Sequence, residues 1–382
     1  MEKVENINPE RLKWCCHEQG ITFDELAREA GVPLPNLEKV VAGEPGLTIA
    51  HLRKVAEFFG RGILFFLETG PVSSELIHSP QFRTLNNQKA NLSPKLRRLV
   101  EAVERQRDVY LNLLDELEEA DTVRYEPPQI PRDDIERSAA IVRTWLNLDR
   151  QSDFSGYRKA VEDKGILVFR SNGYAGKWQI PKDDPICGFS LQHPVCPVIF
   201  VKKQAAEVRQ TFTLMHELGH LLLHRESFID EVDDFYAYTG TERDANAFAG
   251  ALLVPTNVLN EIEVGEIPSS VPRFDDWLKP FRERLGVSTE VLLRRLHDRG
   301  RLDQETYESY RRWKQAQPQS TSDGGNRSYR YREPIHVFGD GFVRTVLDAL
   351  HARHITVTRA SGYLDGLKLE HVHRLEGTYA NS

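Results

Sequence analysis

Two histidines stand four residues apart with a glutamate beside the first: His216-Glu217-Leu218-Gly219-His220, an HExxH pattern. On a helix, positions i and i+4 lie about 40° apart around the axis and roughly one turn along it, so the two imidazoles can meet at one metal ion. Glu217 falls toward the same side and can take a proton from a water activated there. Leu214, Leu218, Leu221 and Leu222 surround these groups with apolar surface, which lowers the local dielectric. Zinc is the expected ion, one per chain, with Mn2+ as the alternative. It brings the pKa of a bound water from about 15.7 to near 7, so hydrolysis at neutral pH is the expected chemistry. A chance match on a surface helix is the competing account. It sits poorly with so apolar a segment.

A catalytic zinc needs a third protein ligand and an open position. His224 follows His216 by eight residues, roughly 12 Å along a straight helix, and is too far to share the ion. Glu242 opens a segment whose buried arc is Ala245, Phe248, Ala249, Leu252 and Leu253. It lies at the edge of that arc, beside Ala245, Asn246 and Ala249, small residues that let another helix approach. Asp244 falls farther from the arc's centre. Geometry alone leaves two accounts of Glu242 evenly matched: a ligand, or a solvated first-turn glutamate favoured by the helix dipole.

Those residues need elements to hold them. The pattern from Gly156 onward is mixed α and β: a helix through Tyr157 to Lys164, then strands at Ile166–Phe169, Ile186–Leu191 and Val198–Val201. Helices follow from Ala205 to His224 and from Glu242 to Leu253, and Pro255 ends the second. Helical patterns also cover Asp133–Leu146 and 272–314. Before them, 8–60 reads as four short helices: Asn8 caps one opening at Pro9, and Thr22 with Glu25 forms a capping box ahead of a helix that stops at Gly31. A third runs from Pro35 to near Gly43, and Thr48 caps a fourth ending at Gly60. Ser93 caps a longer helix from Pro94 to about Glu119. The fold class expected is α+β. Its parts are an all-α domain (1–70), a helical linker (71–132), a sheet-containing domain built on the HExxH helix (133–314), a linker (315–333) and a small helical carboxyl-terminal module (334–382).

His216-Glu-Leu-Gly-His220, then Glu242-x-x-Ala-Asn-x-Phe-Ala and Leu-Leu-Val-Pro, resembles the ImmA/IrrE zinc metallopeptidases. Arg209-Gln-x-Phe-Thr-Leu, Gly188-Phe-Ser and Val198-Ile-Phe-Val add to the likeness, which spans about residues 135 to 265. The resemblance implies His216, His220 and Glu242 as ligands, with Glu217 as general base and later general acid. It also implies a gluzincin-like fold and a substrate chain added as a strand along a sheet edge. The family's usual targets are helix-turn-helix repressors. Arg243, His224, Tyr236 and Tyr238 are the candidates for stabilising an oxyanion.

Residues 8–60 resemble the Cro/phage-repressor (XRE) helix-turn-helix domain, with Phe23 to Val32 as second helix and turn, and 35–42 as the recognition helix. Asn36 and Lys39 are its candidates for contacting double-stranded DNA, together with Glu38 as a polar group. Acids such as Glu10, Glu18, Asp24, Glu25 and Glu29 offset Arg11, Lys13, Arg28, Arg53 and Lys54, so a single copy would bind DNA weakly, and a homodimer is the expected remedy. Such a fusion looks like a bacterial regulator. A rival reading follows: an antitoxin or repressor that binds a cognate toxin and its own promoter, with the peptidase site auxiliary or vestigial.

The rest of the chain sets bounds. Of 382 residues, 40% are hydrophobic and 28% charged, and the net charge of -7 writes no strong pull toward nucleic acid or anionic membrane into the whole. No apolar stretch approaches the roughly 20 residues of a membrane span. The start lacks the pattern of a signal peptide, and four cysteines without a CxxC pair predict no disulfide framework, so a cytoplasmic protein is expected. Arg327-Ser-Tyr-Arg-Tyr-Arg332 interleaves bases with aromatics. Local packing is the expected reading there, single-stranded nucleic acid the alternative. His371 and His373 share no helical face and predict no second metal site.

Overall fold

The computed structural model describes residues 3–59, 61–70, 72, 93–118, 124–148, 153–172, 176–181, 183–317 and 327–379. Residues 71, 73–92 and 119–123 of the expected linker 71–132, the end of the fourth helix at Gly60, and residues 318–326 of the expected linker 315–333 therefore lie outside the described residues. The chain divides into two compact units, Met1–Arg105 and Gln106–Ser382.

The first unit is helical: α1 (Pro9–Glu18), α2 (Phe23–Ala30), α3 (Leu34–Val41) and α4 (Ile49–Phe59). The expected punctuation is present. Asn8 accepts from the amide of Glu10, and Thr22 and Glu25 cap each other reciprocally, at 3.2 and 2.8 Å. Gly31 stops α2 in the left-handed conformation, with φ of 61°. Helices this short are unstable alone. They hold because Leu12, Leu26, Leu37, Val40, Leu52, Val55, Phe59 and Phe66 close into one core. The long helix α5 (Pro94–Glu116) begins in this unit, where Arg61 bonds Glu101 at 3.1 Å and Arg98 lies over the Phe58 ring.

The second unit carries α6 (Ile135–Leu146), α7 (Phe154–Glu162), β1 (Leu167–Arg170), β2 (Ile186–Leu191) and β3 (Val198–Val201). After them come α8 (Glu207–Gly219), β4 (Phe228–Glu231) and α9 (Gly240–Leu253). Three short helices, α10 (Thr256–Asn260), α11 (Phe274–Trp277) and α12 (Lys279–Leu285), lead to α13 (Thr289–Asp298) and α14 (Gln304–Gln315). The last segment holds α15 (Glu333–His351), α16 (Val357–Tyr363) and α17 (Leu369–Tyr379). Helices around one small sheet make this a mixed, helix-rich fold.

The sheet has the order β1-β3-β2-β4, with β1 parallel to β3 and the other pairs antiparallel. β2 and β3 are central and buried along their whole length, as continuous apolar runs between covered faces should be. The edge strand β4 was not anticipated from sequence. Its pairing with β2 carries an irregularity: Ile186 faces Glu231 and Gly188 faces Asp230, so Cys187 is the extra residue of a bulge. α8 and α9 pack closely because Gly219 meets Phe248 and Ala245, where a Cβ would lie 3.2 Å from the Phe248 ring.

A single helix was expected to run from Ala205 to His224. Instead the α-helix ends at Gly219 and His220–His224 forms a π turn, closed by the Arg225 amide on the His220 carbonyl at 2.9 Å. The Arg327–Arg332 run is a 3-10 turn, and Tyr331 is buried under Arg374 at 4.1 Å. Among the described residues no helix is long and apolar enough to cross a membrane. All four cysteines are free and buried.

Candidate metal centre

α8 presents His216, the π turn that continues it presents His220 on the same side, and their Nε2 atoms come within 3.0 Å of each other. α9 brings Glu242 from its first turn: Oε2 lies 3.3 Å from each of those nitrogens. Its carboxylate turns toward the histidines. A fourth donor arrives from β4. Asp230 Oδ2 sits 3.4 Å from His216 Nε2 and 3.5 Å from His220 Nε2. One atom from each of the four residues lies within 4.8 Å of the other three, a group that can hold a metal ion. Two imidazoles and two carboxylates offer nitrogen and oxygen donors suited to a first-row divalent ion.

The other ring nitrogens are held as well. His216 Nδ1 is 3.0 Å from Asn246 Oδ1, and the same amide donates to the Asp234 carbonyl at 2.9 Å, which fixes which end faces the ring. His220 Nδ1 is 2.9 Å from His224 Nδ1. With Nδ1 of each ring held by an outer partner, Nε2 is the atom turned toward the centre, the orientation usual for metal-binding histidines. His224 is thus outside the donor group, as its distance along the helix required, and orients a member of it. Asn246, marked in sequence only as a small residue, does the same for His216.

Burial and charge set the protonation of the cluster. Burial pushes His216 down, but the carboxylates of Asp230 and Glu242 outweigh it and raise its pKa to about 9. Asp230 is held well below the usual range: burial opposes this, and the two histidines overcome it. Burial, with the neighbouring Asp230 charge, raises Glu217 well above an ordinary carboxylate. Burial and the charge of His220 lower His224 to about 4.

Glu217 lies wholly buried against β2, with Ser190 and Asp230 as its polar neighbours. Gly188 makes its room: a Cβ there would stand 2.7 Å from Glu217 Oε1. Apolar rings wall the site. Phe228 stacks on His220 at 4.0 Å, and Phe235 meets His216 edge-on at 4.9 Å. The segment between β4 and α9 is pinned over it by Arg294, which donates to the carbonyls of Phe235 and Ala237, and by Arg311, 3.8 Å above Tyr236.

This donor group and its two helices occupy one stretch of chain that has relatives. Residues 161–297 match the family model of the IrrE N-terminal-like domain, Peptidase_M78. Comparison of the chain with curated proteins found no significant match. The IrrE-like stretch contains β1 to β4 and both helices of the site, and stops within α13. Residues 8–60 fall outside it.

Of the other expected site residues, Asn36 is half-buried and Lys39 exposed on α3. Arg243 reaches Asp244 at 3.2 Å, and Tyr238 is exposed. Asp230 is the residue that sequence reasoning missed. No local signal marked it: it opens the acidic stretch Asp230-Glu231-Val232-Asp233-Asp234, which reads as a solvated segment.

Proposed function

We propose that the second unit is a zinc metalloendopeptidase and that the first makes it a regulatory protein. The observation that carries this reading is the convergence of His216 Nε2, His220 Nε2 and Glu242 Oε2 at 3.0 to 3.3 Å beside a buried Glu217. Bound there, zinc would supply a Lewis acid that polarises a scissile carbonyl and acidifies water. The chain's own residues do the rest. His216, His220 and Glu242 hold the ion, while Asn246 and His224 hold the Nδ1 sides of the two imidazoles. Glu217 takes the proton of the attacking water and returns it to the leaving amine, a role for which a carboxyl with a raised pKa is suited. Phe228 and Phe235 exclude bulk water. A peptide would add to β4, the outer strand of the sheet, through main-chain bonds.

The substrate we favour is a specific protein such as a helix-turn-helix repressor. The first unit supports a DNA-directed role through α2, the turn at Gly31 and α3, which leaves Lys39 exposed and Asn36 half-exposed. Purified protein dialysed against trace zinc should retain about one ion per chain, and His216→Ala should lose it. Glu217→Gln should keep the zinc and abolish cleavage of the co-purifying target. Protein that retains no metal refutes the reading. A complex with a neighbouring gene's product that forms equally with Glu217→Gln, and in which nothing is cleaved, favours the antitoxin reading instead.

A further inference from the structure

We propose that Asp230 is a fourth, displaceable metal ligand that closes the site at rest, so that the peptidase is latent until β4 is engaged. The inference rests on the metal reading above and goes beyond it, because three ligands suffice for hydrolysis and a fourth obstructs it.

The geometry of the donor atoms comes first. Zinc with nitrogen and oxygen ligands at about 2.0–2.1 Å, arranged tetrahedrally, places those ligands about 3.3–3.4 Å from one another. The separations here are 3.0 Å between the histidines, 3.3 Å from each to Glu242, and 3.4 and 3.5 Å from each to Asp230. Asp230 Oδ2 thus lies at the spacing expected of a fourth ligand from both histidines and within 4.8 Å of the Glu242 donor, whereas a catalytic site keeps one position open.

The second observation is the state of the Asp230 side chain. It is 0% exposed, and its charged partners are the two donor histidines, whose Nε2 atoms lie 3.4 and 3.5 Å from Oδ2. A carboxylate so placed needs positive charge beside it, from a protonated imidazole or from a metal ion, since burial without either is among the costliest arrangements a protein can hold. Two carboxylates with two neutral imidazoles balance a divalent ion, whereas Glu242 alone leaves a buried positive charge.

The third is how the backbone aims it. The bulge at Cys187 sets Asp230 opposite Gly188, the residue whose missing side chain makes room for Glu217. Bulges re-aim side chains next to functional sites. The strand bearing Asp230 is also the edge to which a peptide would add. Main-chain pairing along β4 therefore acts on the element that carries the blocking ligand, and withdrawal of Asp230 opens the position beside Glu217.

The test compares full-length wild type with Asp230→Ala, Asp230→Asn and His216→Ala. Zinc affinity is read by competition with a chromogenic chelator. Access to the metal is read from the visible spectrum of the cobalt-substituted proteins as acetohydroxamate is added. We expect one zinc in wild type and an affinity at least about tenfold weaker in both Asp230 variants. The cobalt spectrum should respond to acetohydroxamate in those variants at concentrations that leave wild type unchanged. Asp230→Asn preserves shape, so a folding defect confined to Asp230→Ala does not decide the matter. Undiminished zinc affinity in Asp230→Asn, or a wild-type spectrum that responds equally, overturns the proposal while the three-ligand reading stands. A wild type that binds no zinc overturns both.

Discussion

His220 and His224 show how one side chain tunes another. Their Nδ1 atoms are 2.9 Å apart, and burial together with the His220 charge lowers His224 to about 4. It therefore stays neutral near pH 7 and holds the Nδ1 side of His220, which leaves Nε2 facing the donor group. The same depression has a cost in acid. Between pH 6.5 and 4 the unfolded chain protonates this imidazole and the folded chain does not, so the unfolded state binds more protons and stability rises with pH across that window. Urea unfolding of chelator-treated protein should accordingly show wild type losing stability relative to His224→Gln as pH falls from about 6.5 to 4. Parallel curves for the two proteins over that range would remove His224 as a buried neutral partner.

At the scale of elements, the site depends on close approach between α8 and β2. Where Gly188 faces α8, an added Cβ would stand 2.7 Å from both Glu217 Oε1 and Thr213 Cγ2, and 2.9 Å from the Phe200 carbonyl. Two of those neighbours belong to a buried helix face and the third to the backbone of β3, so none can yield cheaply. Gly188→Ala should destabilise the protein by about 1–3 kcal/mol, the usual range for overpacking a filled interior. Chemical denaturation measures it, and an unchanged midpoint would contradict the packing described. The π turn at His220–His224 is the other device of this kind. It widens the helix where the second donor histidine sits, and ends at Arg225 with φ of 58°.

Across the second unit as a whole, the carboxyl-terminal helices are part of the packing of the peptidase-like sheet. Phe338 and Phe342 of α15 lie 5.7 and 5.8 Å from Phe169 on β1, and Trp178 meets Phe338 at 4.9 Å. Arg158 of α7 fastens this contact. Its guanidinium is buried, bonds Glu162 at 2.8 Å, and donates to the carbonyls of Val168, Ile335, His336 and Val337. Gly339 kinks α15 with φ of 87°, and a side chain there would strike Glu162. Arg158→Met should cost about 3–5 kcal/mol, because it leaves the buried Glu162 carboxyl without its cation. Limited proteolysis should then cut within 333–379, and adding Glu162→Gln should recover part of the loss. Equal resistance of wild type and Arg158→Met to protease would refute this anchoring.

How much of this was legible beforehand follows from the range of each interaction. The HExxH pair could be read directly, because i, i+4 spacing and an apolar helix face are local properties of consecutive residues. The caps at Asn8 and Thr22 and the strands 186–191 and 198–201 were legible for the same reason. Glu242 stood evenly between two accounts until a family resemblance was admitted, since helical periodicity places a residue on a face without saying what that face meets. Asp230 was not legible. β4 has four residues, no alternation of burial, and a register created by a bulge in a different strand, so nothing near it in sequence encodes its direction. The partnering of His216 with Asn246 likewise spans thirty residues and exists only once α8 and α9 are packed. Local spacing by itself determined which residues could bind a metal. Tertiary packing alone decided that four donors converge, because convergence is a property of distances between elements that the order of residues along the chain does not contain.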